Sequence, residues 1–533
     1  MKSKARICVP VCVSRAGELA GAIRRAAEVA EIIELRLDYL LEHELAQASG
    51  EITAVLKSRH QPMILTLRPA EYGGARAISV EDRLFCRINE VWASELRKGG
   101  ADFWDLELDL ALLLQRRESE GNDPVELGLC DWARTICSYH DFVGVPSDLE
   151  QIYESMASTR ARILKIAVQA DDATDCLPIF RLLARAQREG REMIAIAMGQ
   201  PGVMTRILGP SRGSYLTYGS LDEDSATAPG QLTARELRDV YRIDEIDRQT
   251  KVTGLIGKPV RHSLSPNIHN AAFARAKANA VFIPFEVHDL NAFVRRMVRE
   301  ESREIDWNLR GFSVTAPHKT RVMEHLDWID LIAQDIGAVN TIVIEKGVLR
   351  GYNTDAQAFI QPLNDHFESL AGCRCAIIGA GGAARSVIWA LRRAGATVTL
   401  FARDLQKATP IAQELAIECR HLAEAGFAGF DIVINATPLG TRGLLEDEAA
   451  ARAEALRGVR LAYDLVYNPG ETRFIREARA AGCETIGGLE MLIAQAVEQF
   501  KYWTGLQPDI DAMRSAASQA ITQSIPASKS PSA

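Results

Sequence analysis

The stretch "RILKIAVQ" (162–169) sets Lys165 among isoleucine, leucine and valine. An unpaired charged amine in apolar surroundings is costly to bury, and the usual outcome is that it gives up its proton. A free amine near other cations attacks a ketone, and the resulting imine is an electron sink that acidifies the neighbouring carbon. His140, in "SYHDF" (138–142), is the side-chain type that shuttles such a proton. Together with several arginines, the pair points to a carboxylated keto substrate undergoing elimination. A Schiff-base aldolase fits the same residue types.

A second set of reactive residues follows. "GFSVTAPHKT" (311–320) carries Thr315 and Lys319 just past a strand, while "GAVNT" and "GYNTD" supply Asn340, Asn353 and Asp355. A lysine with a nearby aspartate protonates a developing alkoxide, or takes the proton in reverse. Ser263 and Ser265 fall two apart in a segment read as extended before Pro266, so that both hydroxyls face one ligand. Capping of the helix that starts near Pro266 explains one serine more readily than two. "CAIIGAGGAARSVIWALRRAGATVTLFARD" (375–404) reads as strand, glycine turn, helix and strand, with Ala384 closing a modified GxGxxG. Gly379, Gly381 and Gly382 allow the tight turn and close backbone approach to a pyrophosphate at the helix N-terminus. The second strand ends in Phe401, Ala402 and Arg403, where an NAD site places an acid, so Arg403 suits a 2′-phosphate; Asp404 beside it argues the other way.

These residues need elements to position them. Candidate strands in the first half are 6–13, 31–38, 62–68, 101–109, 134–140, 162–169, 191–199 and 213–221, alternating with helical stretches such as "VEDRLFCRINEVWASELRKG" (80–99). That rhythm means parallel strands joined by helical crossovers, and eight units in roughly 250 residues is the size of a (β/α)8 barrel. Polar residues gather at the C-terminal strand ends: Glu34, Arg36 and Asp38; Arg68; Asp105 and Glu107; His140 and Asp141; Lys165. A barrel keeps its site at that face. After "LTARELRDVYRIDEIDRQT" (232–250), read as a closing helix and a polar connection, "KVTGLIGKPVRHSLSP" opens a new β-α-β pattern. The expected organisation is a barrel over 1–245, an α/β substrate domain over 251–356, a Rossmann domain over 357–514 with a helix returning to the substrate domain, and a disordered tail over 515–533.

At 533 residues, the chain is too long for one core. A net charge of −8 without a long basic run does not suggest a nucleic-acid surface, and no apolar run approaches a membrane span. The start lacks a signal peptide, and the ten cysteines form no CxxC pair or short disulfide framework. A cytoplasmic protein with reduced thiols is the expectation. No cluster has metal-ligand spacing.

Residues 1 to about 245 resemble type I 3-dehydroquinate dehydratase through "ELRLD" (34–38), "TLR" (66–68), "DLE" (105–107), "SYHDF", "LKIA" (164–167), "MG" (198–199), "TRILG" (205–209) and "TAPGQ" (227–231). The resemblance implies that Lys165 forms the imine and His140 is the acid/base. It implies that Glu34, Arg36, Arg68 and Arg206 hold the substrate, and that Thr227 and Gln231 belong to a closing loop. Thr227 stands where the family usually has serine. In "RPAEYGG", Tyr72 takes the place of the usual glutamate and Glu71 is displaced by one. The carboxylate that orients His140 is therefore open, with Asp105 a candidate.

Residues 251–510 resemble shikimate dehydrogenase through "HSLSP", "VTAPHK", "GAVNT", "NTD", "GAGGAAR", "NATPLG" (435–440), "YDLVYNP" (463–469) and "GGLEMLIAQA" (487–496). The resemblance implies a catalytic pair Lys319 and Asp355, with Ser263, Ser265, Thr315, Asn340, Tyr467 and Gln495 on the substrate. NADP(H) would rest on Gly379, Ala380, Gly381, Gly382, Ala383 and Arg403, with Asn435 to Gly440 (including Thr437), Val466 and Gly488 lining the nicotinamide side. Alanine precedes Arg403 where NADP-dependent members usually have asparagine, and Ser313 stands where many single-function members have asparagine. The two halves together are similar to bifunctional dehydratase–dehydrogenase enzymes typified by plants. The implied sequence is 3-dehydroquinate to 3-dehydroshikimate to shikimate, two consecutive steps of aromatic amino-acid precursor synthesis. A quinate dehydrogenase in the second half, or an inactive quinate-sensing regulator on the same folds, are the alternatives.

Overall fold

The computed structural model describes residues 5–58, 60–85, 101–120, 130–443 and 445–523. The chain divides into two compact units: Met1–Thr250 with Phe285–Met297 and Ser302–Asp306, and Lys251–Pro284 with Val298–Glu301 and Trp307–Ala533.

The first unit contains eight strands: β1 (Ile7–Val11), β2 (Ile32–Arg36), β3 (Met63–Thr66), β4 (Phe103–Glu107), β5 (Thr135–Asp141), β6 (Ile163–Gln169), β7 (Glu192–Met198) and β8 (Thr217–Tyr218). Neighbours follow chain order from β1 to β7, and β8 returns to pair with β1. A single parallel bridge, Met193 to Ser214, joins β7 to the segment entering β8. The sheet is thus a barrel that is nearly closed. Its interior floor holds Cys8, Ile32, Ile64, Phe103, Ile136, Ile163 and Ile194.

Successive strand residues face opposite sides, so residues two further along each strand face inward again. Counting in twos from that floor gives Glu34 and Arg36, Thr66, Asp105 and Glu107, Ser138 and His140, and Lys165. Register then aligns them: Thr66 is opposite Asp105, Glu107 opposite Ser138, and Ser138 opposite Lys165. The apolar floor turns polar towards the C-terminal end, which is how five strands converge on one site.

The eight expected strands are present, each shorter than its candidate segment except β5, which keeps its length and is displaced by one residue. The last shrinks most, to Thr217–Tyr218; glycines at 213 and 219 flank it, and Gly213 has φ 101°. Of the helix expected over 80–99, Val80–Phe85 is helical, and the rest lies outside the described residues.

The second unit carries two sheets. One has the order β10-β9-β11-β13-β14-β12, from β9 (Lys251–Gly257), β10 (Ala280–Glu286), β11 (Leu309–Val314), β12 (Trp328–Ile329), β13 (Thr341–Glu345) and β14 (Val348–Tyr352). The other is parallel, β17-β16-β15-β18-β19-β20, from β15 (Arg374–Ile378), β16 (Thr397–Ala402), β17 (Glu418–His421), β18 (Ile432–Asn435), β19 (Leu461–Asp464) and β20 (Glu484–Ile486). The helix Gly488–Thr504 begins against the β19 exit, and its Ile493, Ala496, Phe500 and Trp503 join the first sheet's core beside Phe273 and Phe282.

The expected disorder of 515–533 is corrected for its first part. Ile510–Gln523 is a helix whose Met513 and Ala517 are fully buried, with Ala520 and Ile521 packed on the same core. Apolar and small residues three and four apart give it a buried stripe. Residues 524–533 lie outside the described residues.

Candidate active site

In the barrel, Lys165 Nζ donates to Asp105 Oδ2 at 2.7 Å and lies 3.5 Å from Glu34 Oε1. Its amine also stands 4.6 Å from the Tyr218 ring centroid. The amine is therefore paired, contrary to the expectation of an unpaired amine in apolar surroundings. Leu164 and Ile166 are its neighbours in sequence but face the other side of β6, and its neighbours in space come from β2, β4 and β8.

Arg68 is the central cation. Its Nη2 donates to Asp105 Oδ2 at 2.9 Å, and its Nη1 lies 2.9 Å from Glu107 Oε1, an ion-pair contact without hydrogen-bond alignment. Nη1 also lies against both ring nitrogens of His140. Burial alone would raise the Asp105 pKa, but Lys165 and then Arg68 hold it well below the carboxylate range. Burial pushes Glu107 up to about 7, against the pull of Arg68 and with help from Asp105. Burial, reinforced by Arg68 and Lys165, pushes His140 well below its usual value, so the imidazole is neutral and able to accept a proton.

The open carboxylate question has a geometric answer. Glu107 Oε2 is 3.3 Å from His140 Nδ1, whereas Asp105 is occupied by Lys165, Arg68 and the Ser138 hydroxyl. Glu71 is exposed. Glu107 was not singled out for this role in the sequence, although its spacing of two from Asp105 places both on the inner face.

The remaining barrel residues differ in their engagement. Arg36 forms a two-point pair with Asp38, at 2.9 and 2.8 Å, and Glu34 accepts from Thr66 Oγ1 at 2.7 Å. Arg206 is fully buried; Nη1 reaches the Tyr218 carbonyl at 3.5 Å, and Nε has no hydrogen-bond partner among the described residues. Burial pulls its pKa down to about 10. A buried guanidinium without a carboxylate partner among the described residues suits an anionic substrate group. Gln231 Oε1 accepts from Thr227 N at 2.7 Å and from its hydroxyl at 3.1 Å, and Gly199 N donates to Pro229 O. The "TAPGQ" loop is thereby clasped to itself and docked on the end of β7.

In the second unit, Lys319 Nζ donates to Asp355 Oδ2 at 2.5 Å. Asn340 Nδ2 donates to Asp355 Oδ1 at 2.7 Å, and Asn340 Oδ1 accepts from Thr354 N at 2.8 Å. Asn353 caps the helix Asp355–Ile360 by accepting from the Asp355 and Ala356 amides. Thr315 follows β11, with its amide donating to Ile256 O. Ser265 is corrected from an extended position to the first residue of the helix Ser265–Arg275, and Ser263 Oγ accepts its amide at 3.2 Å. Pro266 fits that first turn, having no amide to leave unsatisfied. Burial raises the Tyr467 phenol, with the Ser263 side chain pulling the other way, so these two are neighbours. Gln495 is buried and donates to Leu492 O. Ser313 donates to Gln499 Oε1 at 2.7 Å, and Gln499 Nε2 donates to Thr341 Oγ1, a tie that sequence reading missed.

The glycine turn adjoins this pair. Gly379 has φ +110°, and a Cβ there would meet Thr437 Cγ2 at 2.8 Å. Gly381 caps the helix Gly382–Arg393 with open space at its Cβ position, and Ala380 and Ala383 flank these glycines. A Cβ on Gly382 would lie 3.0 Å from the Lys319 stem, so the amine and the turn share one cleft wall. A Cβ on Gly488 would meet Leu465 O at 2.5 Å, and its amide donates to Val466 O. Asp464 joins the loops by accepting from Asn435 Nδ2 and Val466 N. Arg403 is exposed at the end of β16, and Asp404 caps the next helix and pairs with Lys407 at 3.2 Å. The bare turn, the helix N-terminus and the exposed arginine fit a dinucleotide carrying a 2′-phosphate. Among the described residues, no group is placed to hold a metal ion, and no helix is long and apolar enough to cross a membrane.

Residues 7–248 match the family model for type I 3-dehydroquinase. Residues 255–342 match the shikimate dehydrogenase substrate binding domain, 362–466 shikimate/quinate 5-dehydrogenase, and 488–517 the shikimate 5′-dehydrogenase C-terminal domain. The chain is 33% identical over 528 residues to the chloroplastic bifunctional 3-dehydroquinate dehydratase/shikimate dehydrogenase of Arabidopsis thaliana, covering 95% of this chain and 83% of that one. It is 40% identical over 287 residues to the NADP(+) shikimate dehydrogenase of Methanocaldococcus jannaschii, covering 52% of this chain and all of that one. A solved shikimate 5-dehydrogenase from Thermus thermophilus, in complex with NADP(H) and shikimate, is 36% identical over 50% of this chain and 99% of its own, with a TM-score of 0.45.

Proposed function

The chain belongs to the family of bifunctional 3-dehydroquinate dehydratase/shikimate dehydrogenase enzymes, and from that premise we propose how its own residues divide the two reactions. It is a 3-dehydroquinate dehydratase and an NADP-dependent shikimate dehydrogenase. The observation that carries the division of labour is that each unit holds one lysine amine against a buried carboxylate, Lys165 on Asp105 and Lys319 on Asp355.

In the first reaction, Lys165, once its ammonium has lost a proton to solvent, adds to the ketone of 3-dehydroquinate. Water leaves, and the nitrogen becomes a protonated imine. Neutral His140 removes the proton from the adjacent carbon, and the electron pair moves towards the imine. The electrons return to expel the ring hydroxyl one carbon further on, with His140 returning the proton so that water departs. Hydrolysis of the imine frees 3-dehydroshikimate and the amine. Arg206 faces the substrate carboxylate, Glu34 and Arg68 hold hydroxyls, Arg36 acts through Asp38, and Thr227 and Gln231 close the mouth.

In the second reaction, bound NADPH supplies the hydride. Gly379 to Ala383 would hold its pyrophosphate and Arg403 its 2′-phosphate, with Thr437, Val466 and Gly488 on the nicotinamide side. Lys319 Nζ gives the proton to the carbonyl oxygen as it becomes a hydroxyl, and Asp355 holds the ammonium in place. Ser263, Ser265, Thr315, Asn340, Tyr467 and Gln495 orient the ring. The described cysteines are unbonded, which suits the reducing cytoplasm.

The test supplies 3-dehydroquinate with limiting NADPH and follows enone and nicotinamide absorbance together. The reading expects an enone to form and nicotinamide absorbance to fall. Enone without nicotinamide consumption would remove the second reaction.

A further inference from the structure

We propose that the aromatic face of Tyr218 is a cation-binding surface for the reacting nitrogen of Lys165, stabilising the charged imine that forms there. This inference rests on the reading of Lys165 as the imine-forming group.

Tyr218 ends β8, is 6% exposed, and pairs in register with Cys8 of β1. Lys165 Nζ stands 4.6 Å from its ring centroid, within the range of cation–π attraction. The amine's hydrogen bond goes to Asp105 Oδ2, with Glu34 at 3.5 Å, so the phenol meets the nitrogen with its face. Two kinds of contact therefore hold one cation.

They respond differently to the chemistry. A lysine ammonium has three N–H donors to share with Asp105 and Glu34. When the amine adds to the ketone and water leaves, the nitrogen keeps a positive charge but only one N–H. At most one directional bond to the carboxylates remains, whereas attraction to the ring quadrupole needs charge and proximity, not donors. The contact with Tyr218 persists into the iminium, while hydrogen bonding to the carboxylates is reduced to a single donor. Burial strengthens it, because both Tyr218 and Lys165 are shielded from bulk solvent.

The experiment uses the full chain, 3-dehydroquinate and borohydride, and compares wild type with Tyr218→Leu and Tyr218→Phe. The readouts are the rate of covalent labelling of the 162–169 peptide, kcat and KM for dehydration, and circular dichroism. Tyr218→Leu should slow labelling and kcat together by about tenfold, the equivalent of a partly desolvated cation–π contact, while KM changes less. Tyr218→Phe, which keeps the face and loses the hydroxyl, should recover most of that loss. If Tyr218→Leu does not fold, Tyr218→Met keeps the volume without an aromatic face and replaces it. Labelling as fast in Leu or Met as in wild type overturns the proposal, and so does a Phe variant as slow as Leu, since the hydroxyl would then be the active part. Wild-type label on another residue would instead remove the reading of Lys165 itself.

Discussion

Glu107 Oε2 lies 3.3 Å from His140 Nδ1, on the strand beside the one that carries the histidine. The contact sets the carboxylate against Nδ1, while Arg68 Nη1 lies against both ring nitrogens. Burial pushes the Glu107 pKa up to about 7, so it is an acceptor for the ring N–H only above that pH. Dehydration should rise with pH through about 7. Glu107→Gln should flatten that limb and lower kcat by about 10²-fold, in the range of acid–base effects, with Lys165 still trapped by borohydride. An unchanged pH profile of kcat in the Gln variant would assign the limb elsewhere.

Much of this site was legible in the sequence, for a reason rooted in strand geometry. Polar residues at spacing two near strand ends, such as Glu34 with Arg36 and Asp105 with Glu107, must share the inner face. The partners of Lys165 were not legible, because Leu164 and Ile166 flank it in sequence but face away, and Asp105 reaches it only through two strand registers. Ser265 misled for a local reason: serine is a preferred residue at helix starts, and here it opens a helix. Asp404 seemed to oppose a 2′-phosphate, but it is occupied by Lys407 and the helix it caps.

Lys165 is the expected site of covalent capture. Incubation with 3-dehydroquinate and borohydride should inactivate dehydration and add the reduced substrate to peptide 162–169. Lys165→Ala should fold and resist labelling, because Asp105 keeps Arg68 and the Ser138 hydroxyl, and Glu34 keeps the Thr66 hydroxyl, when the amine is removed. Mass mapping reads the outcome, and label on another peptide in the wild type would count against the assignment.

Arg403 is expected to set nucleotide choice. It is exposed at the end of β16, free to meet a phosphate bidentately. Arg403→Ala should raise the KM for NADPH by about tenfold or more and leave that for NADH nearly unchanged. Equal changes for both nucleotides in steady-state kinetics would make the arginine structural.

His269 predicts a pH dependence of stability. Its ring is fully buried and stacked on Phe282, with centroids 4.5 Å apart. Burial pushes its pKa down to about 3, against a smaller pull from Gln499. The unfolded chain protonates near the ordinary histidine value of about 6.5 while the folded chain does not, so stability is present above that pH and lost as pH falls towards 3. Each pH unit in that window costs about 1.4 kcal/mol from this group. His269→Phe should keep the stacking and abolish the charge, so its melting temperature relative to wild type should rise between pH 7 and pH 5 by calorimetry. A constant difference across that range would mean that water reaches the ring.

The last prediction concerns separability of the two reactions. Every residue assigned to dehydration lies at or before position 231, and every residue assigned to reduction lies at or after 263. Lys319 donates to Asp355 and packs its stem on the glycine turn, while Lys165 is held by Asp105 and Glu34, so the two proton-transfer networks share no residue. Substitutions at sites with no common partner act independently. Lys319→Ala should therefore lower reduction of 3-dehydroshikimate by about 10²-fold or more while dehydration stays within about twofold of wild type, and Lys165→Ala should do the reverse. Separate assays with 3-dehydroquinate alone and with 3-dehydroshikimate plus NADPH read each reaction without the other. If Lys319→Ala slows dehydration in the first assay with its circular dichroism unchanged, the networks are coupled. The fusion would then be a requirement of the chemistry and not only a linkage of successive steps.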